Sequence, residues 1–151
     1  MYRKNTIIRE NVITCSDVKI GDFCQIGHMV VLRKGVRIGH HVTISHLSNI
    51  ERSTVIGSNV RISALTHITG ACVIENDVQI GARVATINDN QLARGTNPDL
   101  KHPIFRVGCR VGTGVTSMGG VEVGAGSLVV KIYQRRSLPM ATRHASSTKG
   151  Y

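Results

Sequence analysis

The stretch from Ile20 to Ile50 reads IGDFCQ-IGHMVV-LRKGVR-IGHHVT-ISHLSN-I, and an aliphatic residue opens every group of six. The same period runs from Ile8 to Ala85, with Thr14 as the one polar residue among the first positions. A second series, four residues after the first, holds small or β-branched residues. A constant period of six fits neither the spacing of an amphipathic helix nor the alternation of a simple strand.

A fixed six-residue period predicts a parallel β-solenoid. Each hexad supplies a short strand and a bend, and three hexads close one triangular coil, with coils about 4.8 Å apart. Aliphatic first positions from successive coils then stack inside the prism, as Ile20, Ile38, Ile56 and Ile74 would. The glycines that follow many first positions are expected at the bends, where φ becomes positive.

The repeat is interrupted once. After Ala85 the hexad pattern fails, and a segment rich in Asn, Asp and Pro predicts an extruded loop at about 87–104. The repeat resumes displaced by one residue, with Phe105, Val111, Ser117 and Val123 as first positions. Thirteen hexads before the loop and four after it predict about six coils. The fold class is therefore all-β, with a solenoid domain at 1–136 and an irregular basic tail at 137–151.

Composition restricts the classes of function. The 151 residues contain no Trp, as expected for a thin prism with an aliphatic interior. Their net charge of +10 favours anionic partners such as phosphates. No nucleic-acid-binding motif is found, so nucleic acid is not expected as a partner. No apolar segment predicts a membrane span or a signal peptide. The four cysteines form no CxxC pair, which favours buried thiols and a cytoplasmic location.

Several segments resemble the left-handed β-helix acyltransferases, and most closely the sugar-nucleotide amino-sugar N-acetyltransferases. The family pattern IGxxVxI…VxIExxVxIGxxVxFTND is similar to Val55–Ile62, Val73–Gly81 and Thr86–Asp89. Its later segments IGAxATI and VGAGSVVTK resemble Val111–Thr116 and Val123–Lys131. The resemblance covers roughly residues 8–131. It implies left-handed coiling, a homotrimer, acetyl-CoA as acyl donor, and a small polar acceptor such as a nucleotide-linked amino sugar.

The resemblance and the chemistry of acyl transfer together suggest site residues. Asn88 and Asp89 occupy the Asn-Asp position and would orient the acceptor, although loop capping explains such residues equally well. His67, in the last coils before the loop, is the preferred candidate for general base or acceptor contact. His102 is a weaker candidate. Donor-binding candidates at the later corners and on basic side chains are Arg106, Gly112, Thr113, Gly114, Ala125, Gly126 and Lys131.

Two other functions fit the same prism. His28 and His46 are eighteen residues apart and would be neighbours in one column, as in a zinc hydratase similar to the γ-class carbonic anhydrases. A third imidazole ligand is not evident, and no metal is expected in the transferase. The second alternative is a non-catalytic solenoid that serves as a scaffold.

Overall fold

The computed structural model describes residues 4–90 and 100–130. Over these residues the chain forms a left-handed parallel β-helix of about six coils, which confirms the predicted fold class. The same residues contain nineteen two-residue strands, two more than the predicted seventeen hexads. They contain no helix, and hence none long and apolar enough to cross a membrane.

The strands form three parallel sheets, which we name faces A, B and C. Face A consists of β1 (Ile7–Ile8), β4 (Gln25–Ile26), β7 (Thr43–Ile44), β10 (Arg61–Ile62), β13 (Gln79–Ile80), β16 (Arg110–Val111) and β19 (Leu128–Val129). Face B consists of β2 (Ile13–Thr14), β5 (Val31–Leu32), β8 (Asn49–Ile50), β11 (His67–Ile68), β14 (Ala85–Thr86) and β17 (Thr116–Ser117). Face C consists of β3 (Lys19–Ile20), β6 (Arg37–Ile38), β9 (Val55–Ile56), β12 (Val73–Ile74), β15 (Ile104–Phe105) and β18 (Glu122–Val123).

The second residue of almost every strand points into the prism, because neighbouring residues of a strand face opposite sides. Ile20, Ile38, Ile56 and Ile74 pair in register along face C, as the hexad spacing predicts. The residues four positions later are small because they fill the narrow interior beside a corner. Cys24, Cys72 and Cys109 occupy such places as buried free thiols, and burial raises the pKa of Cys72 to about 12.

Corner geometry corrects one expectation. Positive φ values occur once per hexad, three residues after the first position, and most of these residues are not glycine, as with Phe23, Met29 and Leu47. The glycines directly after a first position serve a different purpose, which is close packing between coils. A Cβ at Gly21 would lie 2.4 Å from the carbonyl oxygen of Gly39 in the next coil. Only hydrogen fits there.

The loop leaves at a corner between faces B and C without disturbing the stacking. Ile74 pairs with Phe105 across the loop, so the coil after the loop continues the column. The repeat extends one position further than predicted, because Thr86 is fully buried in a first position. Its Oγ1 accepts a 2.7 Å hydrogen bond from the backbone N–H of Thr69, which explains how a hydroxyl is accommodated there. The chain returns through Pro103, also buried.

Candidate functional site

A pocket of about 290 Å³ lies on face B beside the base of the loop. His67 and Asn88, two of the predicted catalytic residues, both line it. The other lining residues come from successive coils and are Arg33, Glu51, Arg52, Thr69 and Gly70. Asp89 follows Asn88 at the loop base but does not line the pocket.

The base of the loop is held by hydrogen bonds that fix Asn88. The Asn88 carbonyl oxygen accepts a 2.9 Å bond from the N–H of Lys101, where the chain re-enters the prism. The side chain of Asn90 forms two bonds with the backbone of Gly119 one coil further, accepting from its N–H at 2.7 Å and donating to its carbonyl at 2.9 Å. A Cβ at Gly119 would meet the carbonyl oxygen of Lys101 at 2.6 Å. This corner therefore closes around the loop base.

His67 lies on the outer surface of face B above Asn49, with which it pairs in register. Asn49 Nδ2 donates to Glu51 Oε1 at 3.1 Å and lies 3.4 Å from His67 Nδ1. Because a carboxylate only accepts, Glu51 sets the orientation of the Asn49 amide. The second amide hydrogen then points to Nδ1 of His67, which must be unprotonated to accept it. The neutral imidazole consequently carries its hydrogen on Nε2.

Two arginines line the pocket, and an unsatisfied acceptor is buried near it. Arg33 lies 3.8 Å from Glu51 across the pocket wall, and Arg52 lines the same pocket. Asn49 Oδ1 is buried and has no hydrogen-bond partner among the described residues. Asn49 is not among the residues that line the pocket, so this acceptor is enclosed by the protein and does not face the pocket.

His102, the weaker candidate, lies next to the pocket. Its Nδ1 donates a 2.8 Å hydrogen bond to the carbonyl oxygen of Gly70, which lines the pocket. A carbonyl only accepts, so Nδ1 is the protonated nitrogen. The bond ties the returning chain to the corner below, which is a structural task.

The predicted donor residues lie at other corners of the same prism. Gly112, Thr113 and Gly114 follow β16 at the corner between faces A and B, and Gly114 has a positive φ of 71°. Ala125 and Gly126 follow β18 at the corner between faces C and A. A Cβ at Gly114 or Gly126 would meet nothing within 4 Å, whereas one at Gly112 would lie 3.2 Å from the carbonyl oxygen of Val129. Lys131 and the tail at 137–151 are outside the described residues.

Arg106 is held between two carboxylates. Its Nε donates to Glu122 and its guanidinium NH1 to Glu75, each at 2.7 Å. Glu75 also accepts a 2.9 Å bond from the N–H of Val107. The hydrogen bonds from Arg106 lower the pKa of both carboxyl groups and raise the pKa of Arg106. A phosphate at Arg106 would have to compete with Glu122, the more exposed of the two.

The predicted histidine column exists. His28 and His46 stack with ring centroids 5.1 Å apart, and His46 Nδ1 accepts a 3.0 Å hydrogen bond from the backbone N–H of His28. His28 Nδ1 lies 2.6 Å from a carboxylate oxygen of Glu10. One nitrogen of each ring is thus engaged within the column. No group of three side chains suited to a metal ion is found among residues 4–90 and 100–130.

Sequence reasoning missed the polar neighbours of His67. Asn49 lies eighteen residues before His67 in the same hexad position, and Arg33, Glu51 and Thr69 share another position at the same interval. The spacing of eighteen residues, which aligns the buried residues of successive coils, therefore also predicts which outward polar residues become neighbours.

Comparison with known proteins supports the fold. Residues 17–52 match the family model described as bacterial transferase hexapeptide (six repeats). No curated protein matches the chain in sequence. A hexapeptide transferase family protein from Anaplasma phagocytophilum superposes with a TM-score of 0.59 at 14% identity, over 78% of this chain and 69% of that protein.

Two further solved structures are less similar. A mutant of perosamine N-acetyltransferase from Caulobacter crescentus, in complex with CoA and GDP-perosamine, gives a TM-score of 0.43 at 15% identity over 82% of this chain. WeeI from Acinetobacter baumannii gives 0.44 at 19% identity over 82% of this chain. The chain spans about half the length of these two proteins, 50% and 54%. Over residues 17–52 the chain thus carries the six-residue repeat described by that family model, and it shares its fold with the Anaplasma phagocytophilum protein.

Proposed function

We propose that the protein is an acyltransferase that moves an acetyl group from acetyl-CoA to an amino group, or a hydroxyl, of a small polar acceptor such as a nucleotide-linked amino sugar. The observation that carries the proposal is the pocket in which His67 and Asn88 meet at the base of the loop. The repeat match agrees with it. The open glycine corners near the C-terminal end, such as Gly114, would let a pantetheine arm approach the backbone.

The reaction requires little covalent work from the protein. A neutral acceptor amine attacks the thioester carbonyl, and the N–C bond forms while the carbonyl oxygen becomes an oxyanion. When the tetrahedral intermediate collapses, the C–S bond breaks and the pair of electrons leaves with the CoA sulfur. The nitrogen loses one proton and the thiolate gains one, which gives an amide and free CoA. Correct placement and donors for the oxyanion provide most of the catalysis.

In this mechanism His67 acts as a hydrogen-bond donor. The chain Glu51–Asn49–His67 keeps the hydrogen on Nε2, and a neutral imidazole with an Nε2 hydrogen can donate to a developing oxyanion. It is less suited to removing the amine proton, because its unprotonated nitrogen faces Asn49. Asn88 and Thr69, which line the same pocket, are left to orient the acceptor. The sequence prediction for His67, a general base or an acceptor contact, remains a prediction beside this donor role.

We also propose a homotrimer, assembled through an exposed apolar ridge at the corner between faces A and B. Met29, Leu47 and Leu65 occupy the same position in three successive coils, and each is more than half exposed (53%, 52% and 54%). All three have positive φ, which costs a non-glycine residue about 1 kcal/mol or more. A convex ridge cannot enclose a small molecule. Another copy has the same coil spacing and can pack against it coil by coil.

Binding of the donor tests the function. The melting temperature is measured with acetyl-CoA, CoA and, as a control, pantothenate, which lacks the nucleotide. A donor site predicts stabilisation that grows with ligand concentration. A thiol-release assay with a panel of nucleotide-linked amino sugars and free amino sugars then identifies the acceptor. No shift with millimolar acetyl-CoA and no thiol release with any acceptor would favour the scaffold.

A further inference from the structure

Face A carries a second cleft, and Gly112 is the one of its lining residues that the sequence predicts as a donor-binding candidate. It has a volume of about 160 Å³, and Arg61, Ser63, Gln79 and Arg110 contribute its polar side chains. We propose that this cleft binds a phosphate group of a ligand, with Arg61 and Arg110 as the charged contacts.

Strand pairing brings the polar groups together. Arg61 pairs in register with Gln79, and Gln79 pairs with Arg110, so the three outward side chains form one column across three coils. The parallel row beside them contains Gly81 and Gly112, which have no side chains to fill the space. A Cβ at Gly81 would come within 2.7 Å of the N–H nitrogen of Thr113. Close packing of the coils therefore requires glycine at position 81, and the absence of side chains in this row leaves the cleft open.

The charge on face A is of one sign. The outward side chains of face A form two rows, and neither row contains an acidic residue. The first row is Ile7, Gln25, Thr43, Arg61, Gln79, Arg110 and Leu128. The second row is Arg9, Gly27, Ser45, Ser63, Gly81, Gly112 and Val130. Arg33 and Arg106 on the other faces have carboxylate partners, whereas no ion pair is found for Arg61 or Arg110 among the described residues. Two guanidinium groups flanking an amide and a hydroxyl form a cationic surface rich in hydrogen-bond donors. Phosphate oxygens are the acceptors that match it.

Two ligands of the proposed reaction carry phosphate, namely CoA and a nucleotide-linked acceptor. Naming these two ligands rests on the proposed function. Leu128 lines the same cleft and is 66% exposed, which offers an apolar contact to the organic part of either ligand. A free phosphate or pyrophosphate shares only the charged contacts. Comparing these probes separates the general property of the cleft from the identity of its ligand.

The position of the cleft fits the proposed trimer. Face A and face B meet at the corner that bears the ridge of Met29, Leu47 and Leu65. If three copies place that corner on their common axis, face A of one copy lies opposite face B of the next. The Arg61–Arg110 cleft then lies across from the His67 pocket of the neighbour. The phosphate would be held by one copy while the reacting group lies against the other.

The test uses the whole 151-residue chain and calorimetric titration with inorganic pyrophosphate, CoA and UDP. The variants are Arg61→Gln, Arg110→Gln and the double substitution. Arg37→Gln is the matched control, because Arg37 occupies the same hexad position on face C. Each cleft substitution should weaken pyrophosphate binding about tenfold, since it removes one charge-assisted hydrogen bond. The control should change the affinity less than about twofold, and added salt should weaken wild-type binding more than binding by the double variant.

The arms separate the outcomes. If the arginine substitutions weaken binding of CoA but not of UDP, the cleft binds the donor. If they weaken binding of UDP but not of CoA, the cleft binds the acceptor. Wild-type affinity of the double variant for all three probes would overturn the proposal, as would failure of the wild type to bind any of them. Arg110-dependent pyrophosphate binding in a protein without acyl transfer would leave the cleft standing and refute the proposed function. Melting curves of each variant confirm folding.

Discussion

Asn49 and His67 face each other one coil apart on face B, with Asn49 Nδ2 3.4 Å from His67 Nδ1. Glu51 orients that amide, so the tautomer of His67 is set by a residue that does not touch it. The two roles of His67, hydrogen-bond donor and general base, can be distinguished by substitution. A glutamine at position 67 could donate a hydrogen bond in place of Nε2–H, but it could not accept a proton as a base.

The first prediction compares two substitutions at one position. His67→Ala removes the donor and should lower kcat about 100-fold or more, the effect of losing one oxyanion donor. His67→Gln retains an amide N–H and should lose no more than about tenfold. Steady-state kinetics with acetyl-CoA measures both. Equal losses in the two variants would instead indicate a general base.

The second prediction concerns self-association. Leu47→Lys places a charge at the centre of the ridge and should shift the protein towards smaller species, because burying an unpaired ammonium is strongly unfavourable. Val55→Lys is the control, since Val55 is 42% exposed on face C, away from the ridge. Light scattering after gel filtration gives the mass of each variant. An unchanged trimer for Leu47→Lys would move the interface to another corner.

The third prediction separates two kinds of glycine. Gly21→Ala should destabilise the fold by about 2 kcal/mol or more, because its Cβ would lie 2.4 Å from the Gly39 oxygen and the coils would have to separate. Gly108→Ala should cost about 1 kcal/mol, since Gly108 has φ of 69° but open space around its Cβ position. Urea denaturation measures both. The reverse order would mean that coil spacing is not limited by backbone contact.

These glycines also show what could be predicted from the sequence. A spacing of six fixes which side chains point inward, so the stacked column from Ile20 to Ile74 follows from arithmetic alone. The sequence predicts the local backbone conformation at the corners less well than it predicts the buried column. The left-handed position accepts Phe23, Leu47 or Gly108 alike, because hydrogen bonding between coils imposes it on any residue. Thr86 was missed for a related reason, since its polar side chain finds a backbone partner inside the prism.

The candidate site was only partly predictable. His67 and Asn88 were singled out from the sequence, and the structure places them in one pocket. The tautomer of His67 depends on contacts between side chains eighteen residues apart, and residue type does not reveal them. The Arg61–Arg110 cleft was missed because its two arginines are separated by the loop, which hides their common hexad position.

The fourth prediction concerns acid stability and the carboxylates at Arg106. Hydrogen bonds from Arg106 lower the pKa of Glu75 and of Glu122 in the folded protein. Carboxylates with a lowered folded pKa stabilise the fold above their unfolded pKa, near about 4.3, and this contribution is lost as the pH falls through the folded pKa. Stability of the wild type should therefore decline between about pH 5 and pH 3.

Glu75→Gln tests the assignment of this loss. The variant should melt below the wild type at about pH 6, and the difference should shrink as the pH approaches about 3, since the wild-type carboxyl is then protonated as well. Asp17→Asn is the matched control, because Asp17 has positive φ that asparagine tolerates, and no ion pair of Asp17 is found among the described residues. It measures the effect of removing a carboxylate that has no arginine partner in the described part of the chain. A pH-independent difference for Glu75→Gln would mean that Glu75 stabilises the corner by packing, without a contribution from its charge.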